Sequence, residues 1–203
     1  MPKKPHLTSR QIQAQQTKEK IFNASISLLK DMDIEDIKIT DIIEAAGVSP
    51  GTFYHYYATK WDVYLEAHHF LDDYYEQVVG PNLTQPYIKD RLLLFFNHYF
   101  LFHETFTNSL NFLRIVFHMG NPAFSRSLYA EYDYGMLYIL RKTIQQGIDD
   151  QQLTRDESAV EIAAFLMIAF RGLVFHWCAL KGSFDISTEL PIYIKRLLRS
   201  FLD

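Results

Sequence analysis

Along most of the chain, apolar residues return every three or four positions, the spacing of a helix that buries one face. Alternation of the kind that makes half-buried strands is nearly absent; Ile37-Lys38-Ile39-Thr40 alternates but is too short to support a sheet. The first predicted helix covers residues 9–31, where Ile21, Ala24 and Leu28, with Phe22 and Leu29, form one apolar stripe. An acidic break follows at 31–36. A short helix over 39–46 stops at Gly47, a residue suited to the left-handed position after a helix end. Ser49-Pro50 then reads as the N-cap and first residue of a new helix over 50–57. Thr59-Lys60-Trp61-Asp62 places an acid three residues after a capping threonine and opens a longer helix to residue 79, terminated by Gly80-Pro81-Asn82. Further helices are predicted at 87–103, 106–119, 123–147, 157–181 and 188–202, with Gly182-Ser183 parting the last two. The expected fold class is all-α, with about nine helices.

Three short helices in the first 57 residues, with a tight turn between the second and third, describe a helix-turn-helix. The turn is Ala46-Gly47-Val48-Ser49. The third helix, Pro50-Gly51-Thr52-Phe53-Tyr54-His55-Tyr56-Tyr57, pairs Phe53 and Tyr57 on one inward face. Its other face carries small residues and short-reach donors, Gly51, Thr52, Tyr54, His55 and Tyr56, which suits insertion into a major groove. Lys60, at the start of the next helix, sits where its charge and nearby backbone N–H groups can meet a phosphate.

The run from Ile42 to Lys60, within a wider stretch from Ile21 to Leu65, resembles the DNA-binding domain of the TetR family: an isoleucine-led second helix, then Ala-Gly-Val-Ser-x-Gly-Thr-Phe-Tyr. The resemblance implies an N-terminal three-helix DNA-binding domain (1–60, with a basic arm), followed by a helical ligand-binding and dimerisation domain (61–203). It implies that Lys38, Thr40, Ser49, Gly51, Thr52, Tyr54, His55, Tyr56 and Lys60 meet DNA. Thr52 and His55 would read base edges, while Tyr54, Tyr56 and Lys60 hold phosphates. Three positions depart from the family pattern. Asp33 stands where glycine is usual, Lys38 where a capping threonine is usual, and Trp61 where an acid is common. Thr40 is an alternative cap for the second helix, and Lys38 an alternative phosphate contact.

The second region is aromatic-rich. Phe95, Phe96, Tyr99, Phe100, Phe102, Phe106, Phe112 and Phe117 fall close together, followed by Phe124, Tyr129, Tyr132, Tyr134 and Tyr138. Such residues line apolar pockets, and they also make ordinary cores. The candidate ligand contacts are Tyr99, His103, Phe117, His118, Tyr134, Tyr138, Arg171 and Phe175, and the expected effector is small and apolar or aromatic. His98 and His176 are further polar candidates, although a core role suits His176. Arg171 interrupts the most apolar helix, so a pairing across a dimer or with an acidic ligand is expected. The last helix has a wide apolar face, and the candidate dimer residues are Trp177, Ile194, Leu197, Leu198 and Phe201, with packing inside one subunit as the alternative.

Composition narrows the function classes. The net charge is −4, yet residues 1–20 hold five basic residues and one acid, whereas 61–203 hold 12 basic and 17 acidic ones. The positive charge lies where a DNA-binding arm would need it, though a solvated terminus is the plain alternative. The lone Cys178 excludes an internal disulfide and any multi-cysteine zinc site, and a buried inert thiol is the ordinary reading. His68, His69, Asp72 and Asp73 lie within two turns, where a solvated face is expected rather than a metal. No nucleophile elbow, phosphate loop or paired acid–base set is visible, so no enzyme activity, cofactor or catalytic residue is expected. No apolar run approaches ~18 residues, and the start has no apolar signal segment, so a cytoplasmic protein without a membrane partner is expected. The sequence therefore predicts a ligand-responsive DNA-binding regulator, a repressor acting as a homodimer on duplex DNA at a palindromic operator. A swing of the helix over 59–79 would couple effector to DNA. A helical carrier of hydrophobic molecules is the competing reading.

Overall fold

A computed structural model describes residues 8–106, 133–153, 156–180 and 182–201, and the described residues contain helices and no strand. In order these are α1 (Ser9–Asp31), α2 (Ile39–Ala46), α3 (Pro50–Tyr56) and α4 (Lys60–Tyr74), then α5 (Ile88–Phe106), α6 (Met136–Asp149), α7 (Ala159–Ala179) and α8 (Ile186–Leu198). The predicted helix at 106–119 falls on residues that, but for Phe106, lie outside the described ones, as do residues 123–132 of that at 123–147; residues 133–135 are not helical, so the helix begins only at Met136.

The chain divides into two compact units, Met1–Ala67 and His68–Asp203. The division falls inside α4 rather than at residue 60, because the first turns of α4 complete the core of the first unit. Val63 and Tyr64 are fully buried there, with Ile21, Phe22, Leu29, Ile34, Ile37, Ile42 and Phe53. The Tyr64 hydroxyl donates to the Ser25 carbonyl at 3.5 Å. Burial of Tyr57 and Tyr64 raises their hydroxyls above the ordinary range; at Tyr57 the nearby Glu66 carboxylate adds to the effect.

In the second unit, α6 packs on α5 and α7, and α8 packs on α5 and α7. Tyr75, Phe95, Phe96, Leu140, Ile144, Leu166, Phe170, Ile194 and Leu198 form its centre. The Phe170 ring centroid lies 4.8 Å from that of Phe96, tilted, and 5.0 Å from that of Tyr99, edge to face. The Tyr74 hydroxyl lies 2.6 Å from His98 Nδ1, and partial burial lowers the imidazole below its ordinary value. By length and composition α7 could cross a membrane, but half of that stretch is buried against the rest of the unit, as in a core helix.

The helix opened by α4 does not stop at Gly80 as its sequence suggests. It passes through a π-helical stretch, Tyr75–Val79, and a last turn, Gly80–Asn82. Pro81 has no N–H to donate, and the Gly80 N–H reaches back five residues to the Tyr75 carbonyl, so the chain stays helical by widening. Gly80 also lets α6 approach: a Cβ there would lie 2.9 Å from Ile139 Cδ1.

Three acids of the same rod hold the start of α6. Asp72 accepts the Met136 N–H at 2.9 Å, Glu76 accepts the Gly135 N–H at 2.7 Å, and the Tyr134 hydroxyl donates to Asp73. That last bond, then burial, pushes the Tyr134 hydroxyl up to about 12. Carboxylates suit a helix N-terminus, where unpaired N–H groups and the helix dipole present positive charge. Asp72, expected on a solvated face, is therefore buried.

Gly135 sits at φ 89°, ψ −171°, a region essentially closed to other residues, and any Cβ there would collide with the Asp72 carboxylate. Gly135→Ala is expected to lower the unfolding free energy by about 2 kcal/mol or more, measured by urea denaturation. A loss below about 0.5 kcal/mol would show that the clasp yields without cost.

Candidate nucleic-acid interface

The turn between α2 and α3 forms as its residues dictate. Gly47 takes the left-handed conformation (φ 56°, ψ 45°) and closes α2 with its N–H on the Glu44 carbonyl at 3.0 Å. Ser49 caps α3: its hydroxyl accepts the Thr52 N–H at 3.1 Å and lies 2.8 Å from the Thr52 hydroxyl. Phe53 is fully buried and Tyr57 nearly so, their rings 5.8 Å apart, which anchors the inner face.

The opposite face points to solvent. Gly51, Tyr54 and His55 are exposed, Tyr54 to 57%, and Thr52 and Tyr56 are half-buried. Gly51 has no internal reason to be glycine. Its backbone is helical, and a Cβ would meet nothing nearer than Ser49 Oγ at 3.8 Å. Glycine in a helix costs up to about 1 kcal/mol relative to alanine, so the fold itself does not require the bare backbone at Gly51.

Around α3, the structure shows which residue caps α2 and how the loop at Asp33 closes. The N-cap of α2 is Lys38, whose N–H donates to Asp41 Oδ2 at 2.8 Å, while its side chain stays exposed. Thr40 does not cap; it lies within the first turn, exposed, with its hydroxyl 3.4 Å from Asp41 Oδ1. A lysine side chain has no acceptor, so Asp41 supplies the half of the capping box that remains. Asp33 needs no glycine-like conformation: its carbonyl closes the loop by accepting the Asp36 and Ile37 N–H groups at 2.9 and 3.3 Å.

Lys60 begins α4, as expected, and its side chain is held by the loop before α2. Its ammonium turns inward and donates to the carbonyls of Ile34, Glu35 and Ile37 at 2.6, 3.1 and 2.7 Å. An ammonium has three donors, and all three are used. Desolvation lowers its pKa from the ordinary lysine value, against the opposing charges of Glu35, Asp36 and Asp41. Lys18 makes a second tie, pairing with Glu66 at 2.6 Å and lying 5.6 Å over the Tyr57 ring.

The candidate residues of the second unit are distributed differently from expectation. Tyr99 and Tyr138 are half-buried, and Tyr134 is exposed and tied to Asp73. The His103 side chain, Phe117 and His118 lie outside the described residues, as does the Cys178 side chain. Arg171 and Phe175, with His176, are exposed on the outward face of α7, so they do not line the interior of the subunit. Four candidate dimer residues, Trp177, Ile194, Leu198 and Phe201, are buried in the subunit's own core, and Leu197 is half-buried against it. The apolar face of α8 is thus satisfied internally. On α7 and α8 the exposed large apolar residues are instead Phe165, Ile168, Phe175 and Ile192, while Val78, Tyr87, Leu101 and Leu180 are exposed elsewhere in the second unit. The signal in the sequence for those on α7 is that the helix carries more apolar residues than one buried face requires, although Arg171 and His176 share its outward face.

Because α3 is short and begins at a single cap, Ser49→Ala is expected to destabilise the first unit by about 1 kcal/mol, read as a lower melting transition. An unchanged transition would show that Pro50 and the Phe53 anchor hold the helix without the cap.

Residues 21–67 match the family model described as bacterial regulatory proteins, tetR family. No curated protein matches the chain. Among solved structures, the fold resembles Thermus thermophilus FadR, a TetR family transcriptional repressor in complex with lauroyl-CoA: 22% identity, 90% of this chain and 91% of that one, TM-score 0.66. A TetR transcription regulator from Haloarcula marismortui shares 17% identity over 93% of this chain and all of the other, TM-score 0.66. Bacillus subtilis FadR in complex with stearoyl-CoA shares 14% over 88% and 96%, TM-score 0.61. Residues 21–67 thus carry the helix-turn-helix of the tetR family of bacterial regulatory proteins, and the chain as a whole resembles TetR regulators in fold.

Proposed function

We propose that this chain is a cytoplasmic, ligand-responsive repressor without enzyme activity, which binds a palindromic operator as a homodimer and is released by a small, largely apolar effector. The observation that carries the reading is the outer face of α3. An exposed row of Gly51, Tyr54 and His55, with Thr52 beside it, stands on a helix whose inner face is anchored by Phe53. A glycine with open space above it permits close backbone approach to a groove. Thr52 and His55 read base edges; Tyr54, Tyr56, Ser49, Lys38 and Thr40 hold phosphates.

The effector class rests on the half-buried aromatic surface of α5, Tyr99 and Phe100, with the Tyr74–His98 pair as a polar contact. Two FadR proteins of the same fold are in complex with acyl-CoA ligands, lauroyl-CoA and stearoyl-CoA, in keeping with an effector that has an apolar chain. A displacement of α4 passes effector binding to the reading head, since its first turns belong to one unit and its later turns to the other.

The dimer rests on the outward face of α7. Phe165, Ile168, Gly172 and Phe175 follow one another at spacings of three and four, and nothing within 4 Å would meet a Cβ at Gly172. An apolar stripe of this kind with a bare glycine suits close packing against the same stripe of a second copy. In sedimentation equilibrium the wild type is expected at twice the mass of the chain, and Ile168→Glu with Phe175→Glu at the monomer mass. A dimer that survives both substitutions places the interface elsewhere.

Selection of randomised duplex DNA by the purified protein tests the reading directly. A palindrome is expected, lost or relaxed by Thr52→Ala with His55→Ala. Gly51→Ala is expected to weaken binding without lowering stability. Failure to enrich any sequence would favour a carrier of hydrophobic molecules.

A further inference from the structure

Three backbone carbonyls of the α1–α2 loop accept from one ammonium. The side chains of Ile34 and Ile37 are buried in the first unit, which fixes the loop's direction and turns the Ile34, Glu35 and Ile37 carbonyls toward one point. Lys60, more than twenty residues away, fills that point at distances of 2.6 to 3.1 Å. The same residue begins α4, right after α3 and the Thr59 cap. Thr59 and Asp62 bond each other's N–H groups at 3.3 and 2.7 Å, which holds the Lys60 backbone in place.

We infer that Lys60 is a positioning residue and not a phosphate ligand: its ammonium clips the loop preceding α2 to the start of α4, and so sets the α2–α3 pair against α1. This rests on the proposed DNA-binding reading. The loop leads directly into Lys38 and α2, and α4 follows directly from α3, so the clip ties together the two ends of the reading head. A compact ammonium with three tetrahedral donors fits three converging carbonyls. A planar guanidinium does not, although it would serve a phosphate at least as well.

That difference supplies the test. Operator affinity is measured as a function of salt for the full-length wild type, Lys60→Met and Lys60→Arg, and amide hydrogen exchange is followed over residues 33–42. Both variants are expected to bind about ten- to a hundredfold more weakly, the scale of losing charge-assisted hydrogen bonds. The slope of log affinity against log salt is expected to stay at the wild-type value in both, and exchange over 33–42 to rise. Removing a phosphate contact would instead lower the slope by about 0.9 per contact. Recovery of wild-type affinity by Lys60→Arg, or a lower slope in Lys60→Met with unchanged exchange, overturns the proposal. Should Lys60→Met fold poorly, Lys60→Arg with its charge retained decides alone. Should the wild type bind no DNA, the DNA-binding reading falls by itself, and the exchange measurement on Lys60→Arg still decides the clip: faster exchange supports it and unchanged exchange overturns it.

Discussion

A helix of seven residues cannot hold itself together in water, since nucleation costs more than two turns return. Nearly everything in the first unit answers that constraint on α3. Ser49 supplies an acceptor for the first turn, Pro50 starts it with a fixed backbone angle, and Gly47 brings α2 round to brace it. Phe53 and Tyr57 bury its inner face, and Lys18, Glu66 and Lys60 tie the neighbouring segments with charged contacts. The outer face carries little of that burden, so Tyr54 and His55 can stand exposed there.

The second unit solves a different problem, the joining of long helices whose ends carry unpaired backbone groups. The start of α6 has no side-chain cap of its own, because Gly135 occupies that position. Asp72 and Glu76 supply the acceptors from the α4 rod. A buried carboxylate is costly unless it is hydrogen-bonded, and a helix N-terminus provides donors and a favourable dipole together. The bare Gly135 backbone is the condition for that approach, as Gly80 is for the approach of Ile139.

Much of the reading head was legible along the chain because its information is local. Caps, a left-handed glycine and a proline act within four residues, so Gly47, Ser49, Pro50 and the Thr59–Asp62 box behave as their spacing predicts. The burial of Phe53 and Tyr57 follows from helical period alone. Lys60 shows where local information ends. Its place at a helix start suggests a phosphate contact, but its partners lie more than twenty residues back, in a loop whose path depends on which isoleucines enter the core.

The sequence by itself determined that the chain is all-helical, where most helices begin and end, and which short helix presents a polar outer face. Those properties follow from period and capping, which act over a few residues. Only the tertiary structure decided which apolar stripe is covered. Ile194, Leu198 and Phe201 turn into the subunit's own core, while Phe165, Ile168 and Phe175 stay outside. Periodicity says that a stripe must be hidden but not by what, because hydrophobic burial has no direction of its own and is settled by which helices meet. The same holds for Asp72, an acid among acids until the start of α6 is brought against it.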